Sequence, residues 1–326
     1  MSSVIYLDQN MWIMLLRQKN GQETAYSQEL KVVEKHSENG NAVFPLSLVH
    51  ATETASSADR DGGVDDMVDL MLNISQTNCV APYTTVESEE ILKEAHRLMG
   101  LDFSMSGKVI GQGLPFMYGG RNYDIVSESG DLNPELKETL LDFSTSREAA
   151  NELLNDAELR ESLGDRDHEK ELAHRLENTR DENEGKIQNN TEYRKKSVAH
   201  YFENVIRPEL NDNIRKLLLT RNGISPLINH DISKKELESL EYAVKYMKRF
   251  PSSYVHTNLT ALRDLQKQRN IAANDLNDIM ALSVAIPYCD MVITEGFWTN
   301  LSGQLSLGEL FDTTVTSNLK DIHNLL

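Results

Sequence analysis

The sequence has few cysteines and no long apolar run. Only two of its 326 residues are cysteine, Cys79 and Cys289. Each lies in an apolar segment that predicts a strand, so we expect buried thiols and neither a disulfide nor a metal pair. No stretch approaches the ~20 consecutive apolar residues of a membrane span, and Met1 leads into a strand without a basic leader and cleavage site. A cytoplasmic protein with no membrane partner is therefore expected.

Positive charge is also scarce. The chain has 33 Lys and Arg against 51 Asp and Glu, a formal net charge of -18. This net charge argues against a protein that binds nucleic acid through its overall electrostatic potential, but it is compatible with local contacts from basic residues. Acids dominate residues 128–186, a charge run typical of a solvated helical face, and basic residues collect within 187–221 and 232–270.

The first strand and the turn after it carry the functional prediction. Val4–Leu7 is an apolar run that predicts a buried strand, and Asp8 follows at its carboxyl end. Near the other end of the chain, Cys289–Thr294 predicts a second buried strand that runs into Glu295. Ligands of open α/β sheets bind at this edge, so one shared acidic site is predicted. The structural alternative is that Asp8 or Asn10 merely caps the first helix.

Helical and strand patterns alternate over residues 1–100 and again over 231–326, where a capping box, Ser233–Glu236, restarts helical order. The predicted strands lie at about 4–7, 42–47, 78–83, 289–294 and 313–316. Strands that alternate with helices are typical of a parallel sheet. Between these segments, residues 101–230 predict a mainly helical insertion. It begins near a glycine-rich segment, 107–113, that lacks the ending of a phosphate-binding loop and is interpreted as a loop.

Three motifs, in order, resemble those of PIN-domain nucleases. Val4–Asn10 is similar to that family's opening strand followed by Asp-x-Asn, and Ser47–Glu53 to its second motif, a serine before a helix that bears Glu. The stretch from Asp278 to Thr294 resembles the third motif, and Glu295 stands where members commonly place a further acid. The resemblance implies a PIN-like α/β domain, a parallel sheet in a three-layer α/β/α arrangement, interrupted by the all-helical insertion.

The resemblance also implies a metal-dependent nuclease. Phosphodiester hydrolysis needs an activated water and neutralisation of developing charge, and Mg²⁺ or Mn²⁺ held by carboxylates supplies both. We expect an endoribonuclease, in the role of a toxin or antiviral effector. The predicted catalytic and metal-binding acids are Asp8, Glu53, Asp275, Asp278 and Glu295. The predicted supporting residues are Asn10 and Thr294. Asp275 and Asp278 lie three apart on one helical face and compete for one motif position.

Other interpretations stay open: a structure-specific DNA nuclease with the same site, or a non-catalytic module whose charged insertion binds a partner. Because clustered acids repel a phosphate backbone, RNA must be held by local cations. The candidate nucleic-acid-binding residues are Arg194, Lys195, Lys196, Arg215, Lys216, Lys245, Lys248 and Arg249. The acidic run is then expected to face away from the substrate, available to a protein inhibitor, a partner or a second subunit. His50 is expected to be a packed side chain.

Overall fold

The computed structural model describes residues 2–22, 25–56, 63–103, 109–120, 134–164, 166–183, 189–220 and 240–326. The predicted capping box, Ser233–Glu236, lies outside the described residues. The chain forms two compact units. We call Met1–Pro82, Gly107–Glu169 and Val284–Leu326 the sheet unit, and Tyr83–Ser106 and Lys170–Ser283 the helical unit. Within the described ranges, no helix combines the length and the apolar character needed to cross a membrane.

The N-terminal part of the chain alternates strands and helices. Its elements are β1 Ser3–Leu7, α1 Gln9–Lys19, α2 Ser27–Glu38, β2 Ala42–Val43, α3 Leu48–Ser56, α4 Val64–Ser75, β3 Asn78–Val80, α5 Tyr83–Leu98, β4 Ile110–Gln112 and α6 Leu114–Met117. The strand predicted at 42–47 is shorter than expected, because the chain leaves the sheet after Val43.

In the described residues from Pro134 onward, the chain is helical until the last segment. The helices are α7 Pro134–Thr145, α8 Arg147–Asn155, α9 Ala157–Gly164, α10 Asp167–Asn183, α11 Asn190–Tyr201, which continues as the π-helix Phe202–Ile206, α12 Arg207–Thr220, α13 Leu240–Met247, α14 Pro251–Asp264 and α15 Ala273–Tyr288. The chain ends with β5 Met291–Ile293, α16 Gly296–Gln304, α17 Leu307–Phe311, β6 Thr314–Thr316 and the 3-10 helix Leu319–Asn324.

The main sheet is parallel throughout, with strand order β2-β1-β5-β6. In the two central strands, Leu7 lies opposite Ile293, so β1 and β5 end at the same edge. Ile5, Leu7 and Ile293 are fully buried, and strands covered on both faces read as continuous apolar runs. The prediction of a mixed α/β protein with a parallel sheet is therefore confirmed.

The third predicted strand and the glycine-rich segment pair with each other. β3 is antiparallel to β4, with Cys79 opposite Gly111, and Cys79 also forms a parallel bridge to Leu46. A Cβ on Gly111 would lie 2.5 Å from the ring of Phe116, so glycine makes room here for an aromatic side chain. The interpretation of residues 110–112 as a loop is therefore wrong, because they form a strand.

Buried carboxylates on α5 organise the helical unit. Glu87 accepts hydrogen bonds from the hydroxyl groups of Tyr201 and Ser253, both at 2.7 Å. Glu90 accepts from the backbone N–H of Ser252 at 3.0 Å and from its hydroxyl at 2.7 Å. Burying a carboxylate is costly unless such bonds replace its hydration, so these contacts join α5 to α11 and α14.

The two units divide the chain differently from the predicted segments. Residues 107–169, which belong to the predicted insertion, cluster with the sheet unit, and residues 240–283, predicted to complete the sheet domain, cluster with the helical unit. Within the sheet unit, α9 packs on α3 and α8 packs on α4. Part of the insertion therefore lies against the helix that bears Glu53.

Candidate active site

The ends of β1 and β5 place Asp8 beside Thr294. The backbone N–H of Asp8 donates to the carbonyl oxygen of Ile293 at 2.9 Å, and the Thr294 hydroxyl donates to Asp8 Oδ2 at 2.8 Å. Asp8 stands at the N-cap position of α1, but its side chain makes no capping hydrogen bond. Helix capping therefore does not account for this carboxylate, which is bound by Thr294, a predicted supporting residue.

Glu295 and Asn10 form the reciprocal pair. The side-chain amide of Asn10, in the first turn of α1, donates to Glu295 Oε1. Asn10, one of the two predicted supporting residues, therefore binds Glu295. Asp8, which follows β1, is thus bound by a residue that follows β5, and Glu295, which follows β5, is bound by a residue that follows β1.

Helix α3 brings Glu53 to the same cluster. Glu53 is buried in the second turn of this helix, where only 8% of its surface is exposed. Its neighbour Thr54 accepts a hydrogen bond from the Gln9 side-chain amide at 3.0 Å, which ties α3 to the start of α1. Because Gln9 follows Asp8 directly, this contact fixes Glu53 near Asp8.

His50 lies one turn before Glu53 and is a packed side chain, as expected. Its Nδ1 accepts the backbone N–H of Ser47 at 3.0 Å, and its ring stacks on Tyr6 with centroids 5.1 Å apart. Complete burial lowers the pKa of His50 to about 4, so the ring is neutral at pH 7. It supports the position of α3 and carries no charge toward a substrate.

The carboxylates of Asp8, Glu53 and Glu295, which we call the acidic cluster, perturb one another. Burial raises the pKa of Glu53 to about 7, the charges of Asp8 and Glu295 add to this rise, and that of Arg166 opposes it. Burial and the charge of Glu295 also raise the pKa of Asp8, against the hydrogen bond from Thr294. The acids are therefore close enough to repel, and a divalent cation relieves such repulsion.

The acidic cluster offers oxygen ligands of the kind that Mg²⁺ and Mn²⁺ prefer, but it does not form a ready-made cage. Across the described part of the chain, no three or more His, Cys, Asp or Glu side chains are grouped so that they could already hold a metal ion. Mg²⁺ is usually bound by one or two carboxylates and keeps several waters. The donor set therefore fits a partly hydrated cation bound by part of the acidic cluster.

A pH effect on stability follows from the acidic cluster. The pKa of Glu53 rises from 4.5 to about 7 on folding, so the folded state holds a proton that the unfolded state releases. We expect the metal-free protein to lose stability as pH rises from about 4.5 to about 7. Glu53→Gln should flatten this dependence, as measured by chemical denaturation in EDTA. The same slope in wild type and variant would show that Glu53 is not the titrating group.

The sequence analysis missed Arg166 and Glu169 as neighbours of Glu53. Arg166 pairs with Glu169 at 2.5 Å, and both charges act on the pKa of Glu53. They lie in the acidic run that was expected to face away from the substrate. Helix α9 packs on α3, and the orientation of the acidic run relative to the substrate stays a prediction. No periodicity or motif signals this contact.

Asp275 and Asp278 belong to the helical unit and differ in environment. Asp275 accepts two hydrogen bonds from the Arg269 guanidinium, at 2.5 and 2.7 Å, and one from the backbone N–H of Ala272 at 3.1 Å. Its side chain is 1% exposed, so this buried ion pair is part of the fold. Asp278, one turn later in α15, is half-buried. Their assignment to the metal site stays a prediction.

The predicted nucleic-acid-binding residues all lie in the helical unit, and several have partners there. The contacts are Arg194 with Asn258 at 3.1 Å, Lys195 with Glu241 at 3.7 Å, Lys196 with Glu192 at 2.7 Å, Lys216 with Asp212 at 2.6 Å, and Arg249 with Glu94 at 3.8 Å. Arg215, Lys245 and Lys248 are exposed, and Lys248 lies over the ring of Tyr254. Exposed ion pairs are weak and can exchange their partner for a phosphate.

No protein-family model, curated protein or solved structure matches this chain. The resemblance to PIN-domain nucleases therefore rests on the motifs alone and stays a prediction. What the fold itself provides is a parallel sheet at whose carboxyl edge Asp8 and Glu295 follow adjacent strands.

Proposed function

We propose that this protein is a metal-dependent endoribonuclease whose active centre is the acidic cluster of Asp8, Glu53 and Glu295. The observation that carries the proposal is their convergence, from β1, α3 and β5, at the edge of a parallel sheet where ligands bind. Grouping partly buried carboxylates destabilises a fold unless a cation or a proton offsets their charge. Strongly perturbed acids of this kind are typical of functional sites.

Part of the acidic cluster, with water as the remaining ligands, would hold Mg²⁺ or Mn²⁺, which when bound neutralises phosphate charge and activates water. The chain's own part is to orient these ligands. Thr294 fixes the carboxylate of Asp8 and Asn10 fixes that of Glu295, so each is positioned before a ligand arrives. RNA is the proposed substrate, and the role of toxin or antiviral effector rests on the family resemblance alone.

The proposal is tested by incubating the purified protein with end-labelled single-stranded RNA, tRNA and single-stranded DNA. Each substrate is given Mg²⁺ or Mn²⁺, with and without EDTA. We expect internal cleavage of RNA that requires the metal and stops in EDTA. Cleavage of DNA but not RNA would establish the alternative, a DNA nuclease. No metal-dependent cleavage of any substrate, together with no heat of Mn²⁺ binding in calorimetry, would overturn the assignment.

A further inference from the structure

A groove of about 530 Å³ lies within the helical unit, between one face of α11 and one face of α14. Helix α11 contributes Tyr193, Lys196 and Tyr201, and α14 contributes His256 and Thr260. Tyr193 is followed by lining residues three, four and eight positions later, Lys196, Ser197 and Tyr201, which places them on one helical face. This volume lies in the range of small-ligand sites, which is roughly 300–1,000 Å³.

The groove is open because short side chains face each other across the two helices. Ser197 on α11 and Thr257 and Ala261 on α14 line it. The Ser197 hydroxyl donates to the carbonyl oxygen of Tyr193 at 3.0 Å, and that of Thr257 donates to the carbonyl oxygen of Ser253 at 2.8 Å. These hydroxyl groups are satisfied by their own helices, so the lining is mostly apolar and aromatic.

Two aromatic rings of the groove, those of His256 and Tyr201, are held in place by contacts within the helical unit. His256 stacks on Tyr83 with centroids 4.6 Å apart and planes at 16°, and burial lowers its pKa to about 4. The Tyr201 hydroxyl donates to Glu87, which holds that ring in place. Tyr193 is half-buried at the groove, where burial and the charge of Asp264 raise the pKa of its hydroxyl.

Charges at the rim favour a ligand that carries a phosphate. Lys196 lines the groove, and its ammonium group is held by Glu192 in an exposed, exchangeable pair. Asp264 also lines the groove, but it is paired with Arg263 at 2.7 Å. Arg194 lies outside the groove lining, where it binds the amide oxygen of Asn258. The Asp264 carboxylate is thus held by the buried Arg263, whereas Lys196 can exchange its exposed partner for a phosphate.

We propose that this groove binds a nucleotide of single-stranded RNA, with the base stacked on Tyr193 and its phosphate at Lys196. Aromatic rings beside basic groups are the combination that single-strand binding proteins use, because every base offers a face for stacking. The choice of RNA rests on the proposed function, and the groove adds a subsite for the same substrate.

The test measures binding by fluorescence anisotropy in EDTA, so that RNA is not cleaved, at low and moderate salt. Tyr193→Ala should weaken binding of a short labelled RNA about tenfold, since stacking is worth ~1–3 kcal/mol per base, and Tyr193→Phe should retain it. Lys196→Gln should reduce the slope of log Kd against log salt by about one. Thr260 lines the groove and is partly exposed, so the indole of Thr260→Trp should occupy the groove. This variant should weaken RNA binding to the same extent as Tyr193→Ala.

Lys93→Gln, an exposed lysine on α5 outside the groove lining, is the matched control and should change neither affinity nor slope. Equal RNA affinity of wild type, Tyr193→Ala and Thr260→Trp would overturn the inference. So would tighter binding of free nucleoside monophosphates than of RNA. Cleavage assays separate the two proposals. If the wild type cleaves RNA and the groove variants bind RNA normally, the nuclease is supported and the groove site is refuted. If binding depends on the groove but no metal-dependent cleavage occurs, the groove site is supported and the nuclease is refuted.

Discussion

Replacing Asp8 by Asn is expected to abolish cleavage and to leave the fold intact. The amide keeps the shape of the carboxylate and an oxygen that can accept the Thr294 hydrogen bond, but it removes a ligand charge. Removal of a group that only orients a metal ligand typically lowers metal affinity or activity 10–100-fold. We therefore expect removal of the ligand itself to lower the cleavage rate about 100-fold or more. Cleavage rates at saturating Mn²⁺, with thermal unfolding and circular dichroism on the same samples, measure the effect.

Asp290→Asn provides the matched control. Asp290 precedes β5 at the opposite edge of the sheet, where its carboxylate accepts the backbone N–H of Val4 at 2.7 Å. The same chemical change there should leave the cleavage rate within about twofold of wild type, because no charge is removed from the acidic cluster. If folded Asp8→Asn cleaves as fast as Asp290→Asn, the acidic cluster is not the active centre.

The second large effect is on stability, at Asp275. Asp275→Asn leaves Arg269 without its buried partner, and breaking a buried ion pair costs ~3–5 kcal/mol. Because the Arg269 side chain is 35% exposed, water offsets part of that cost, and we expect a loss of about 2 kcal/mol. Urea denaturation of wild type and Asp275→Asn measures it. Arg269→Met should produce a larger loss, ~3–5 kcal/mol, because it leaves the buried Asp275 carboxylate without its cation.

Asp278 is the comparison that resolves the two alternatives for the third motif. Asp275 is bound to Arg269 within the fold, and the family resemblance offers Asp275 and Asp278 as alternatives for one ligand position. If Asp278 is that ligand, Asp278→Asn should lower cleavage with stability nearly unchanged. An Asp275→Asn variant of unchanged stability that no longer cleaves would reverse this assignment.

The sequence predicted those parts of the fold that local patterns encode. The apolar runs at β1 and β5 identified the central strands, and the parallel arrangement brought the acids at their ends together. Strand β4 was missed because glycines usually interrupt strands, and Gly111 is explained only by the ring of Phe116. Glu87 on α5 was not recognised as buried, because its hydroxyl donors lie far away in the chain.

The electrostatic partners of the candidate site could not be predicted from the sequence, because they depend on how helices pack. Arg166 lies near Glu53 only because α9 packs on α3, and no spacing links residues 53 and 166. The basic cluster at Arg194–Lys196 was visible, but helical phase decides which of its members lines the groove. Lys196 does, whereas Arg194 is bound to Asn258.

The pairing of β1 with β5 also has a consequence for synthesis. Ile5 to Leu7 form their central ladder with Met291 to Ile293, which a ribosome adds long after them. Contacts of such long sequence separation form late, because the closure of a long loop precedes any gain from them. Asp8 therefore meets Thr294 and Glu295 only after all the intervening residues have been made. A polypeptide that stops before β5 has no assembled acidic cluster, so the catalytic activity proposed here is withheld until residues 291–295 have been added.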